Sequence, residues 1–167
     1  YVQTQALAPA TEWNYLTVLA ASVPVAIMVG LILFVNGFQD YKADQQVGKR
    51  TWIVRMAEGR DVADYARPFA IYKAFLYLTF IYILALGVIG AVNADFSTPW
   101  VMIALAPFLL ARKAMSMGEE WLERWAERDV DRQKLPYELL PVNVSTIGTH
   151  FSVGLLMTLG YCLGSIL

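Results

Sequence analysis

Cysteine and histidine are almost absent from this sequence of 167 residues, which contains one of each, Cys162 and His150. A single cysteine excludes an intramolecular disulfide and any cysteine-rich metal site. Because Cys162 lies in an apolar run, we interpret it as a small hydrophobic side chain rather than a reactive thiol. The chain also lacks an excess of charge, with a formal net charge of −1. Nothing in that balance would attract nucleic acid, so we expect no nucleic-acid partner.

Basic residues are missing from the N-terminal stretch, from the turn at 93–99 and from the C-terminal segment. Twelve of the 13 lysines and arginines lie between residues 40 and 67 or between residues 112 and 145, and the other is Lys73. Positively charged loops stay on the cytoplasmic side of a membrane. We therefore expect both long polar loops to be cytoplasmic and both termini to lie on the non-cytoplasmic side.

Long hydrophobic runs are what the sequence has in abundance. Hydrophobic residues make up 57% of the chain, and the mean hydropathy is +0.47. Apolar runs of about 20 residues are long enough to cross a bilayer as helices. The sequence predicts an all-α integral membrane protein, a single transmembrane domain of the cytoplasmic or inner membrane. Its spans are expected at 13–38, 69–92, 99–115 and 147–167, with cytoplasmic loops at 39–68 and 116–145.

The second long loop contains the run GEEWLERWAERDVDRQK, which has helical periodicity. Its larger apolar residues fall on one side of a helix and its charges on the other; they are Trp121, Leu122, Trp125 and Val130. We expect an amphipathic helix at the membrane interface, with tryptophan at the level of the headgroups. The alternative is a helix packed on the first charged loop.

Three polar residues recur every four positions where the first apolar run ends: Asn36, Asp40 and Asp44. If the helix continues through them, they share one face. Carboxylate and amide oxygens are hard ligands of the kind that Mg²⁺ takes when it also binds phosphate. Lys49 and Arg50 follow closely and could hold phosphate oxygens. On spacing alone, the alternative of solvated loop residues remains open.

The run VNGFQDYKADQQVGKRTWIVR resembles the second aspartate-rich motif of the UbiA superfamily of intramembrane prenyltransferases, closest to the dihydroxynaphthoate type of menaquinone biosynthesis. The segments YVQT at the start of the chain and LPVN at 140–143, with Thr146 and His150, also resemble family segments. The resemblance spans essentially the whole chain and corresponds to the C-terminal half of a nine-helix fold. Whether the chain is a piece of a longer protein or a halved relative stays open.

The resemblance implies a Mg²⁺-dependent transfer of an isoprenyl group from its diphosphate to an aromatic acceptor. It implies Asp40 and Asp44 as metal ligands, and Asn36, Lys49 and Arg50 as diphosphate-binding residues. In such enzymes, charge stabilisation assists the departing diphosphate, and the apolar cavity excludes water. The implied partners are the isoprenyl diphosphate, the acceptor, the lipid bilayer and the missing N-terminal half.

The chain departs from the family pattern at Gly37, Gln39 and Lys42, where the family has a polar or acidic residue, proline and an acidic residue. Lys42 lowers the local negative charge that would attract Mg²⁺. No first motif of the form N-D-x-x-D-x-x-x-D occurs in the sequence. We therefore expect no catalysis from this half alone, and two functions remain. One is part of a prenyltransferase. The other is a non-catalytic subunit of a larger membrane complex, for example a photosynthetic or respiratory one, in which the subunit is structural or is associated with a quinone or a pigment.

His150 lies in the predicted fourth span. A histidine inside a membrane is a candidate functional residue, here a ligand of a pigment metal or of a quinone oxygen. The alternative is a hydrogen bond to a neighbouring helix.

Overall fold

A computed structural model describes residues 15–57, 64–93, 97–127 and 134–166 of the chain. Within these ranges the chain is helical and contains no strand. The five α-helices are α1 (Tyr15–Gln46), α2 (Trp52–Ala57), α3 (Ala66–Val92), α4 (Phe108–Ala126) and α5 (Leu140–Ile166). Two 3₁₀ helices, Pro99–Leu105 and Leu135–Leu139, precede α4 and α5.

Four helical stretches are long and apolar enough to cross a membrane: Leu16–Gln46, Ala66–Val92, Pro99–Ala126 and Leu135–Ile166. These stretches confirm the prediction of an all-α membrane protein with four spans. The stretch before residue 15 and Val130 lie outside the described residues. Below, the end of the bundle that holds Asp40, Tyr65 and Leu135 is called the charged end, because most lysines and arginines lie there.

Helix α1 extends eight residues past the span expected at 13–38. A row of buried side chains continues along it without a break: Met28, Leu31, Val35, Phe38, Tyr41 and Asp44. This spacing of three and four residues keeps one face of the helix in the core. The helix therefore carries Asp40 and Asp44 beyond the apolar run. Both were expected in a loop that begins at residue 39, and the helix instead meets the condition under which they share one face.

The third crossing begins as a 3₁₀ helix, opened by Pro99 and capped by Thr98, whose hydroxyl accepts a hydrogen bond from the Trp100 amide at 3.4 Å. This helix packs against α3 and α5 at glycines. A Cβ atom at Gly90 would lie 2.4 Å from the Thr98 backbone nitrogen, and one at Gly160 would lie 2.7 Å from the Trp100 carbonyl oxygen. Backbone lies directly against backbone here, so these positions admit only glycine.

At the charged end, five aromatic rings form a buried cluster made of Phe38, Tyr41, Tyr65, Trp121 and Trp125. Tyr65 is at its centre, with ring centroids 5.4 Å from Phe38 and 4.8 Å from Trp125. Burial, followed by the neighbouring Tyr41, raises the pKa of the Tyr65 hydroxyl well above its ordinary value. The hydroxyl is therefore neutral at physiological pH, as an apolar site requires.

The interfacial position expected for the tryptophans is wrong. Trp121 and Trp125 are 3% and 7% exposed, and the Trp121 indole N–H donates to the Leu135 carbonyl at 2.7 Å. Tyr65 of the first charged loop supplies the partner surface: its ring centroid lies 5.3 Å from that of Trp121 in a tilted contact and 4.8 Å from that of Trp125 edge to face. The alternative of a helix packed on that loop is the observed one. Ring burial and stacking outweigh the headgroup preference once a second aromatic surface is available.

Candidate functional site

Asn36, Asp40 and Asp44 line one cleft at the charged end of the bundle, with a volume of about 420 Å³. Four-residue spacing places successive side chains one above the other, with Cβ atoms roughly 6 Å apart. Lys49 and Thr51 line the same cleft from the loop that follows α1. The structure therefore brings together both predicted metal ligands and two of the three predicted diphosphate-binding residues.

A glycine turn directs Lys49 back onto Asp44. Gly48 ends α1 with φ +71°, a left-handed conformation that suits glycine. The Gly48 amide donates to the Gln45 carbonyl at 3.1 Å, and the Lys49 amide donates to the Asp44 carbonyl at 2.8 Å. This pair of bonds is the Schellman motif of helix ends. The motif reverses the direction of the backbone, and the Lys49 Nζ atom can therefore also donate a hydrogen bond to the Asp44 carboxylate at 3.0 Å.

The two carboxylates differ in their surroundings. Asp40 is exposed, whereas the Asp44 side chain is 10% exposed and paired with a Lys49 side chain that is 62% exposed. Such a half-exposed pair contributes little to stability. Among the described residues, no three histidine, cysteine or acidic side chains are grouped as metal ligands. The donors suit Mg²⁺ in type, as two carboxylates and an amide, but they form only part of a coordination sphere.

Asn143 of α5 is a site residue that the sequence left without a role. Its side-chain Nδ2 atom donates a hydrogen bond to the side-chain Oδ1 atom of Asn36, which ties α5 to α1 at the edge of the cleft. Asn143 is 7% exposed, and within the described part of the chain its own Oδ1 atom has no hydrogen-bond partner. One turn further, the Tyr72 and Thr146 hydroxyls are 2.6 Å apart. The sequence did offer one indication of such a role for Asn143, because it is a polar residue in an otherwise largely apolar helix.

Helix α2 forms the second wall of the cleft. The Thr51 hydroxyl caps it by accepting a hydrogen bond from the Val54 amide at 3.3 Å. A Cβ atom at Gly37 would lie 2.8 Å from Ile53 Cγ1, so the absence of a side chain allows α2 to pack on α1. This contact gives the departure at Gly37 a structural role. It also holds Trp52, which is 69% exposed, at the cleft.

An apolar groove of about 290 Å³ adjoins the cleft between α1 and α3, lined by Ile27, Gly30, Leu31, Phe34, Trp52, Ile71 and Phe75. Gly30, Phe34 and Trp52 line both cavities. The two cavities therefore adjoin at these three residues. Together they are called the path, which is polar at the charged end and apolar between α1 and α3.

Arg50 and His150 do not line the cleft that the described residues form. Arg50 is exposed on the loop beside it. His150 lies seven residues beyond Asn143 on α5, about 10 Å deeper along the bundle. It is partly buried, and no described residue bonds its Nδ1 atom. The structure thus places His150 in the fourth candidate span, with its Nδ1 atom unpaired among the described residues.

Fold and cleft together define a multi-pass helical membrane protein with an acidic site at one end of its bundle. Comparison with curated proteins finds similarity to the 1,4-dihydroxy-2-naphthoate octaprenyltransferase of Bacillus subtilis (strain 168), 24% identical over 139 residues. The alignment covers 83% of this chain and 37% of that protein, so the chain spans little more than a third of its relative. No family model and no solved structure matches the sequence. The similarity supports a distant relationship to UbiA-type membrane prenyltransferases in general.

Proposed function

We propose that this chain is the C-terminal half of a Mg²⁺-dependent membrane prenyltransferase, which moves an isoprenyl group from its diphosphate to an aromatic acceptor in quinone biosynthesis. The observation that carries the proposal is the acidic cleft adjoining the apolar groove, with three lining residues in common. An isoprenyl diphosphate has the same two-part chemistry, an anionic head and an apolar tail. Similarity to a prenyltransferase gives independent support.

In this proposal, Asp40 and Asp44 hold Mg²⁺, while Asn36, Lys49 and Arg50 hold the diphosphate. When bound, the metal would neutralise charge on the diphosphate as it departs. Lys49 lies 3.0 Å from Asp44 and so is placed to exchange that carboxylate for a phosphate oxygen. The groove keeps the tail and the reacting carbon away from water. The C–O bond breaks with its electron pair on the diphosphate, an acceptor carbon supplies the pair for the new C–C bond, and that carbon then loses its proton.

The described residues supply only part of such a site, so we propose that the first aspartate-rich motif comes from an N-terminal half or another membrane subunit. Four spans leave large apolar side chains exposed along the bundle, including Leu33, Ile81, Phe151 and Leu155. Membrane helices associate by close packing, and these exposed faces offer a surface for such a partner.

Binding of a labelled isoprenyl diphosphate tests the proposed function. The chain would be purified in mild detergent with the partners that accompany it, and binding of farnesyl diphosphate measured with Mg²⁺ and after chelation. We expect saturable binding that requires the metal. Absence of binding with Mg²⁺ present, in a preparation that retains its helical content, would contradict the proposal.

A non-catalytic subunit is the second candidate, favoured by the Asp44–Lys49 pair. That pair neutralises a buried carboxylate without a metal, and the described residues offer no third acidic ligand beside it. In this case the chain would co-purify with a larger membrane complex and would bind no isoprenyl diphosphate.

The distribution of basic residues makes a prediction about orientation. In a Cys162→Ser background, a cysteine at Asn93 should react with a membrane-impermeant thiol reagent added outside the cell, and a cysteine at Gln46 should not. Both positions are exposed and lie at opposite ends of the bundle. Disrupting the membrane serves as the control, since both cysteines should then react. The opposite pattern in intact cells would overturn the proposed cytoplasmic position of the charged end.

A further inference from the structure

Three residues, Gly30, Phe34 and Trp52, line both the acidic cleft and the apolar groove, and we call them the junction. Gly30 and Phe34 are one turn apart on α1, and Trp52 opens α2 on the other side. Any molecule that occupies both cavities must pass these three residues. None of them carries a charge or has been assigned a role above, although Trp52 lies within the run that resembles the aspartate-rich motif.

Gly30 keeps the junction open. A Cβ atom there would meet no described atom within 4 Å, in contrast to Gly37, where Ile53 stands in close contact. A larger side chain at Gly30 would therefore extend into the path without displacing the protein around it. The same property holds for Gly154 on α5, which lines neither cavity and provides a matched control.

Phe34 and Trp52 add aromatic surface at the same level. Phe34 is partly buried against the core. Its ring centroid lies 5.9 Å from that of Phe38, and this contact supports the Phe34 ring on the side away from the path. Trp52 is 69% exposed, although α2 itself is anchored by the buried side chains of Ile53 and Val54. An exposed tryptophan on an anchored helix buries its ring only when another molecule binds against it.

We propose that the junction is a specificity-determining element, which selects phosphorylated ligands that carry an unsaturated isoprenoid tail and holds the first carbons of that tail. This inference rests on the proposed function and names residues other than its proposed metal and diphosphate ligands. Gly30 provides the width, and Phe34 and Trp52 provide aromatic faces for the double bond nearest the diphosphate. The shared chemistry of a phosphate head and an apolar tail also belongs to phospholipids, which the experiment must separate from isoprenoids.

Binding of three probes to Gly30→Leu tests the proposal. The probes are inorganic diphosphate, dimethylallyl diphosphate and farnesyl diphosphate, each measured with Mg²⁺ on the chain purified with its partners. We expect farnesyl diphosphate to bind at least roughly tenfold more weakly than to wild type, with inorganic diphosphate changed less than about twofold. Dimethylallyl diphosphate should be affected less than farnesyl diphosphate, because its tail ends near the junction. Gly154→Leu should change none of the three affinities.

Trp52→Ala provides a second variant that removes contact instead of blocking the path. Farnesyl diphosphate should again bind more weakly, and binding of inorganic diphosphate should be unchanged. The control is Trp100→Ala, which should have no effect. Trp100 is 42% exposed and lies at the opposite end of the bundle.

Several outcomes would overturn the inference. Wild-type affinity of Gly30→Leu for farnesyl diphosphate would do so, and so would an equal loss of inorganic diphosphate, since the residue would then act on the acidic cleft. Displacement of farnesyl diphosphate by phosphatidic acid vesicles as effectively as by unlabelled ligand would contradict selection of an isoprenoid. Failure of the wild type to bind any diphosphate would instead overturn the proposed function, and the junction with it.

Discussion

Replacing Asp44 by asparagine is expected to reduce Mg²⁺-dependent prenyl transfer at least about a hundredfold while the protein stays folded. The substitution keeps the size of a side chain that is 10% exposed, but it removes the charge that would hold the metal and that now holds Lys49. Losing one preorganised charge that stabilises a departing group commonly costs this much in rate. Transfer of a labelled isoprenyl group, measured on the chain with its native partners, gives the comparison.

Glu120→Gln is the matched control for Asp44→Asn. Glu120 is an exposed acidic residue on α4, outside the cleft that the described residues form, and its removal should leave turnover unchanged. Asp40→Asn should resemble Asp44→Asn, because both carboxylates face the same cleft. Retained turnover in either aspartate variant would contradict its role as a metal ligand.

Replacing Gly90 by alanine is expected to lower the free energy of unfolding by about 3 kcal/mol, the upper range for overpacking a dense interior. The new methyl group would lie 2.4 to 2.6 Å from three backbone atoms of Thr98, which cannot rotate away as a side chain can. Either α3 or the Pro99–Leu105 helix must therefore move. Thermal unfolding in detergent, followed by helical circular dichroism, should show the loss.

Gly154→Ala is the control for Gly90→Ala, because its methyl group would meet no described atom within 4 Å. Alanine has the higher helix propensity, so this variant should be as stable as wild type or slightly more stable. If the two variants unfold at the same temperature, the close approach at Gly90 is not a determinant of stability.

The sequence was informative about the spans because membrane insertion depends on local hydropathy. Runs of apolar residues predicted four membrane helices. The continuation of α1 to Gln46 was not predicted, because hydropathy ends the apolar run at residue 38, whereas the buried face of the helix runs on through Tyr41 and Asp44. The position of Trp121 and Trp125 could not be obtained in this way. An amphipathic face fits a headgroup layer and a protein surface equally well, and only Tyr65, distant in sequence, decides between them.

For the site, sequence spacing predicted the face shared by the aspartates but not the contacts that cross between helices. Lys49 reaches Asp44 through a turn at Gly48, a local feature that glycine at a helix end indicates. Asn143, by contrast, is far from Asn36 in the chain, and their hydrogen bond depends on how α1 and α5 pack. The apolar groove beside the cleft likewise exists only after α3 is docked. The metal and the diphosphate remain predictions.

Helix α1 is continuous from Tyr15 to Gln46, so a bend near one of its ends would displace the residues at the other. Pro24 lies buried inside the helix, where its missing N–H removes one backbone hydrogen bond and permits bending. Asp44 is twenty residues further on, so a bend of about 5° at Pro24 would shift its carboxylate by about 2.6 Å along an arm of about 30 Å. That shift exceeds the length of a Mg²⁺–oxygen bond, about 2.1 Å. A small change in the bend of α1 at Pro24 would therefore alter the acidic cleft.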